Sequence, residues 1–316
     1  MTGAVPATGR AREARVARLL VAPAIALMLA LLVLPVIVAF ALSFTDYSLG
    51  SPELRWVGLD NYRDLVERRG YRKMFAATFT YIAIVVPLSV GLGLGAALLV
   101  TSVTRFGNLY RTIFFLPVMA ALLAMAIVWE FALHPTIGIV NDVLERGCGT
   151  PLEGLALFAE GCRSGFPVWL TDRRYALPAV AFIGVWQGFG FAMVLYLAGL
   201  AGIPPELRQA AEIDGARSAW SRFRLVTWPL LGPTTVFVVT IILVRAFQVF
   251  DTVEAFYPRG GGPSRSVYVM MYAIYEKSIQ QNLIGVGAAI TVLFLTFVTL
   301  VTLVQRWWID RRVHYA

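Results

Sequence analysis

The sequence predicts an all-α polytopic membrane protein with six transmembrane helices, and three observations carry that expectation. Hydrophobic residues make up 58% of the 316-residue chain, and its mean hydropathy of +0.71 lies well above that of a water-soluble domain. Six apolar stretches are each long enough to cross about 30 Å of hydrocarbon as a helix. They run from about Leu19 to Phe44, Met74 to Val100, Thr112 to Leu133, Ala176 to Ala201, Leu230 to Phe250 and Leu283 to Val304. The polar run from Ile203 to Pro229 separates the fourth from the fifth and must lie on one membrane face. An even number of spans returns both termini to one side. Arg10, Arg12, Arg15 and Arg18, ahead of the first span, assign that side to the cytoplasm.

Residues 1–18 are rich in Ala and Arg without an apolar period, and are expected to be disordered or to lie along the headgroups. The first apolar run is about twice the length of a secretory h-region and no small-x-small site follows it, so it reads as an uncleaved anchor. Pro23 and Pro35 predict kinks within it. In the second span Gly91, Gly93 and Gly95 alternate, which predicts close helix packing; no strand precedes them, which argues against a phosphate-cradling loop. The longest loop runs from His134 to Arg174, with Gly154 to Ala159 as a short amphipathic piece. Its Cys148 and Cys162 are the only cysteines of the chain. They pair if the loop faces an oxidising compartment and stay free thiols otherwise, and the sequence leaves both readings standing.

The fourth span contains Val185-Trp-Gln-Gly-Phe-Gly-Phe191 and the fifth contains Arg245-Ala-Phe-Gln-Val-Phe-Asp-Thr252. A polar side chain at membrane depth is costly unless it faces a cavity or a partner. Arg245, Gln248 and Asp251 or Thr252 recur at helical spacing, which predicts one polar stripe on one helix. Aromatic rings beside amides and a carboxylate suit a sugar, whose C–H faces stack on rings while its hydroxyls need donors and acceptors. The blander reading is that these groups glue the helix to another subunit, or that Arg245 and Asp251 snorkel to the interface.

The polar run carries its own punctuation. Pro205 suits a first helical residue, Glu206 favours the positive end of the helix, and Gly215 can end the helix in a left-handed cap. A second short helix, about Ala216 to Leu225, should follow before Pro229 opens the next span. Ala210, Ala211, Gly215 and Ala216 then form a small-residue face that another protein surface can approach closely.

This run resembles the EAA loop of binding-protein-dependent ABC importer permeases. Ala210-Ala211, Asp214-Gly215-Ala216, Phe223, Val226 and Pro229 fall at the family's positions, and Gln209 stands where the family usually has Glu. Ser43 to Tyr47, Trp56 to Tyr62, Tyr110 to Pro117 and Tyr257 to Pro263 resemble segments of the carbohydrate and glycerol-3-phosphate class, so the likeness covers most of residues 19–316. It implies a type I ABC importer transmembrane domain at 19–305, with its coupling loop at 203–229 and cytoplasmic tails at 1–18 and 306–316. By this resemblance Trp186, Gln187, Gly188, Phe191, Arg245, Gln248 and Asp251 would bind the solute. Glu206, Gln209, Ala210, Ala211, Asp214, Gly215 and Ala216 would meet the ATPase.

The implied partners are a second permease subunit, two ATPase subunits and an extracytoplasmic solute-binding protein, in the inner membrane of a bacterium. No G-x-x-x-x-G-K-[ST] loop occurs in the chain, so ATP and Mg belong to the partner ATPase. This subunit is then non-catalytic, without a cofactor or metal of its own. The implied mechanism is alternating access for a sugar or sugar-like solute; Arg245 keeps glycerol-3-phosphate or another anionic sugar derivative in view. A secondary transporter driven by an ion gradient is the alternative, but it would show internal repeats and paired broken helices, and the sequence displays neither. A membrane-embedded enzyme lacks clustered ligands, since His134 and His314 are the only histidines. The net charge of +8 is spread over loops rather than gathered in a patch, and 203–229 leaves no room for the third helix of a DNA-reading domain, so no nucleic acid is expected.

Overall fold

A computed structural model describes residues 7–51, 53–103, 105–148, 150, 161–258 and 260–312. Five helices are long and apolar enough to cross a membrane: Val16–Leu42, Arg69–Ser102, Ala176–Ala201, Gly232–Phe256 and Ile284–Gln305. The remaining crossing, expected as one helix, is a bent pair in which Gly107–Met119 and Ala124–Ala132 meet at 102°. Pro117 removes a backbone donor from the last turn of the first piece, and Ala120 and Ala121 are extended. Six crossings therefore stand with that bent pair counted as one. Contacts divide the chain into residues 1–64 with 276–293, and residues 65–275 with 294–316.

In the first unit the opening helix runs from Ala7 to Met28, so the backbone of 7–18 is helical and continuous with the first span. A π-helical turn at Leu29–Val33 precedes Pro35, whose ring and missing N–H disfavour regular α-helical bonding there. The segments 43–47 and 56–62 are pinned together. Thr45 bridges Trp56, Phe44 stacks on the Trp56 indole at 5.4 Å, and Arg55 pairs with Asp46 at 2.9 Å. Asn61, buried, donates to the carbonyls of Ser43 and Thr45, both at 2.8 Å. These bonds satisfy its amide and fix the entry to the short helix Asp60–Glu67.

The second unit is built on the second and fourth spans, which pack along most of their length. Lipid tails are as apolar as Leu, so close backbone approach rather than hydrophobic burial must hold such a pair. The glycines show how. Gly184 admits the Tyr81 hydroxyl, a Cβ at Gly188 would stand 2.7 Å from Ser89 Oγ, and one at Gly93 would stand 2.6 Å from the Ala192 Cβ. Gly91 and Gly95 have open space around them, so of the three alternating glycines only Gly93 serves this contact. Ala97, Met193, Tyr196, Leu231 and Val238 continue the buried core toward the 203–229 end.

Candidate functional site

The fifth span is the element that positions the site, because it does not run straight through. Its helix ends at Phe247, Gln248 and Phe250 leave helical geometry (φ −88° and ψ 13°; φ −140° and ψ −58°), and a short helix resumes at Asp251. The expectation of one continuous stripe is corrected accordingly: Arg245, Gln248 and Asp251 sit before, in and after a break. They still converge. Arg245, Gln248, Asp251 and Thr252 line one cavity of about 380 Å³ together with Gln187 and Gly188 of the fourth span.

Tyr81 closes another part of that cavity and was absent from the sequence-predicted set. Its signal was there, since Tyr81, Val85 and Ser89 recur every four residues and place two hydroxyls on one face of the second span. The Ser89 hydroxyl is buried and without a hydrogen-bond partner among the described residues. Phe191 lies beside the cavity and engages Arg245, whose guanidinium carbon sits 3.9 Å from the ring centroid. Stacking on that face leaves the in-plane N–H groups for acceptors. Arg245 has no ion pair with Asp251 or any other described carboxylate. Trp186 turns elsewhere: its ring packs edge-on against Trp129 at 5.4 Å and does not line the cavity.

The 203–229 loop takes the helix, turn and helix form expected. Pro205–Ile213 is followed by Gly215 at φ +96°, and Ala216 N–H donates to the Ala211 carbonyl at 2.9 Å, closing a left-handed cap. The second helix starts later than Ala216, at Ala219, because Ser218 caps it by accepting from the Ser221 N–H at 3.0 Å. It runs on through a π-helical turn at Phe223–Thr227. Leu207, Ala210, Ala211, Ala216, Leu225 and Pro229 surround a cavity of about 460 Å³, to which Asp214 also contributes. In the same loop Ile213 and Trp220 stand 87% and 69% exposed, apolar side chains left uncovered. Gln209 and Glu206 are exposed, and Glu206 has no ion pair among the described residues. Glu212 is committed to Arg222 at 3.3 Å, so of the two carboxylates flanking Gln209 it is Glu206 that has no ion pair among the described residues.

On the opposite face, Cys148 and Cys162 form a disulfide with a Cα separation of 5.9 Å. The piece expected at Gly154 to Ala159 lies outside the described residues. Tyr257, outside the spans, donates to the Leu170 carbonyl at 2.7 Å, and burial pushes its phenol above the usual range. Gly260, Gly261 and Gly262 all have positive φ, and Cβ atoms at the last two would press on Tyr268 and Val267, which is why this turn is glycine. No group of His, Cys, Asp and Glu that could hold a metal occurs among the described residues.

The family model for the binding-protein-dependent transport system inner membrane component matches residues 89–315, which include the fifth-span cavity and the 203–229 loop. The chain belongs to this family. As an inner membrane component of that kind it resembles a probable ABC transporter permease protein of Pyrococcus horikoshii, 28% identical over 285 residues, or 88% of this chain and 92% of that one. The sn-glycerol-3-phosphate transport system permease protein UgpA of Agrobacterium fabrum is 29% identical over 264 residues, 83% of each chain. The probable starch degradation products transport system permease protein AmyD of Thermoanaerobacterium thermosulfurigenes is 27% identical over 296 residues, 93% of this chain and 94% of its own.

Among solved structures, a bacterial ABC transporter involved in the import of the acidic polysaccharide alginate superposes with a TM-score of 0.78 at 20% identity, over 96% of this chain and 98% of that one. At that identity the likeness is one of fold. The breaks in the third and fifth spans remove the argument against a secondary transporter that rested on unbroken helices. It is family membership that disfavours that alternative.

Proposed function

We propose that the chain is one transmembrane subunit of an ATP-driven importer for a sugar or sugar-like solute, and that the cavity at the fifth-span break is part of the translocation path. The observation that carries this reading is the convergence of Gln187, Arg245, Gln248 and Asp251 on one cavity at membrane depth. Such groups are expensive in hydrocarbon and are retained where a polar solute passes. The names of the relatives, which include permeases for starch degradation products and for sn-glycerol-3-phosphate, support the class.

Coupling would run through 203–229. The cap at Gly215 and the exposed Ile213 and Trp220 support a rigid hairpin that docks on an ATPase surface, with Glu206 as the carboxylate available where Gln209 replaces the family's Glu. Closure of an ATP-loaded ATPase pair would move this hairpin and switch the cavity between the two faces. A second permease, two ATPases and a solute-binding protein complete the assembly. A second reading of the substrate, an anionic sugar derivative such as glycerol-3-phosphate, is favoured by Arg245, a guanidinium in the cavity without a carboxylate partner.

The test is to purify the tagged chain from its native membrane and identify what co-elutes by mass spectrometry. An ATPase, a second permease and a binding protein are expected, and the ligand on that binding protein names the solute. A chain that elutes alone and transports in vesicles driven by an ion gradient would overturn the reading.

A further inference from the structure

Two cavities of about 440 and 400 Å³ adjoin where the second and fourth spans end beside the 203–229 loop, and they share Thr101 and Arg111. Their linings differ. The first is an open cup beside Val103, Phe106 and Gly107, with Asn108 and Arg111, both exposed, on its rim. The second is a groove lined by Val194, Leu197, Leu200 and Ala201 of the fourth span. From Ala201 to Val194 a helix rises about 10 Å, so the groove extends about two turns into the membrane.

The cup is electropositive and supplies donors. Arg111 has no ion pair and the Asn108 amide no hydrogen bond among the described residues. Thr101 already directs its proton to the carbonyls of Ala97 and Leu98 at 3.0 and 2.9 Å, so the donors are those of Arg111 and Asn108. No Asp or Glu occurs from residue 68 to 129 or from 173 to 205, and Arg105 adds a second positive charge to the connection. An arginine that only snorkels as an interfacial anchor needs neither a cup nor a groove continuous with it.

We propose that this is a binding site for an anionic phospholipid, its phosphate held by Arg111 and Asn108 and one acyl chain lying along Val194, Leu197 and Leu200. A soluble phosphate would use the cup and leave the groove unexplained; a basic pocket between helices that opens onto an apolar track fits a lipid.

The experiment uses the chain in its intact complex, purified in mild detergent, stripped of lipid and titrated with phosphatidylglycerol or phosphatidylcholine, with bound lipid counted by native mass spectrometry. The wild type should retain phosphatidylglycerol in preference to phosphatidylcholine. Arg111→Gln should lose about five- to tenfold of that retention, the size expected for one charged contact at a membrane surface. Arg111→Lys should keep most of it. Val194→Trp leaves the charge in place, fills the groove from an exposed position, and should lose it as Arg111→Gln does. Added inorganic phosphate should not displace the lipid. Equal retention of the two lipids, retention unchanged in both Arg111→Gln and Val194→Trp, or displacement by phosphate would each overturn the proposal. If Arg111→Gln fails to assemble, the Val194→Trp and Arg111→Lys results decide it.

Discussion

The second and fourth spans are continuous and locked together at Gly184, Gly188 and Gly93, whereas the third bends by 102° and the fifth leaves helical geometry at Gln248. The cavity lies between these two kinds of element: Tyr81, Gln187 and Gly188 come from the locked pair, and Arg245, Gln248 and Asp251 from the broken fifth span. Irregular backbone at membrane depth is tolerated where it lines a cavity, since its unpaired groups need polar company. The contrast assigns different work to the two walls. One is fixed by close packing; under the proposed function, the other supplies the joints through which a path would open and close.

The largest expected effect comes from attacking the fixed wall. Gly188→Leu drives a side chain into Ser89 and should lower the stability of the assembled complex by about 1–3 kcal/mol while abolishing uptake. Thermal unfolding beside an uptake assay reads both, and a variant that transports normally would show that the glycine contact is not structural. Next is the connection between the intact fourth span and the broken fifth. Gly215→Leu forces a branched side chain to φ +96°, costing about 1–2 kcal/mol locally. ATP hydrolysis should then proceed without matching uptake; coupled rates in an assembled complex would remove the loop from the mechanism.

On the broken wall, Gln248→Ala and Asp251→Ala should each reduce uptake about tenfold, the loss of about one solute hydrogen bond, with assembly unchanged. Wild-type kinetics in both would move the path elsewhere. The smallest effect on uptake is expected at the disulfide. Cys148 and Cys162 should be alkylated only after reduction, with transport nearly unaltered, because the bond constrains a loop of sequence separation 14 on the far side of the spans. Alkylation before reduction would mean free thiols.

The intact elements were legible and the breaks were not. A long apolar run bounded by charges announces a helix, and it located the second, fourth and sixth spans to within a few residues at most ends. Gly215 and Pro205 also announced their roles, because a left-handed cap and a first helical turn are local demands met by local residue types. The break at Gln248-Val-Phe250 carries neither Pro nor Gly, so nothing in the sequence separates it from continuous helix. Periodicity therefore put Arg245, Gln248 and Asp251 on one stripe, whereas the structure brings them to one cavity across a break in the helix. At Ala120-Ala121 the only hint was Pro117, three residues earlier and compatible with a mere kink. Trp186 was grouped with Gln187 by the family resemblance; neighbouring residues on a helix point about 100° apart, and its ring meets Trp129 while Gln187 lines the cavity.

The most direct test of the cavity as a two-sided path uses Asp251→Cys, since the native cysteines are tied to each other and leave no free thiol among the described residues. The complex, in membranes of known orientation, would be exposed to a membrane-impermeant thiol reagent from each side, at rest and with its ATPases trapped in the ATP-bound state. Labelling should change sides on trapping and be blocked by the transported solute. Labelling that ignores both the nucleotide state and the solute would contradict it.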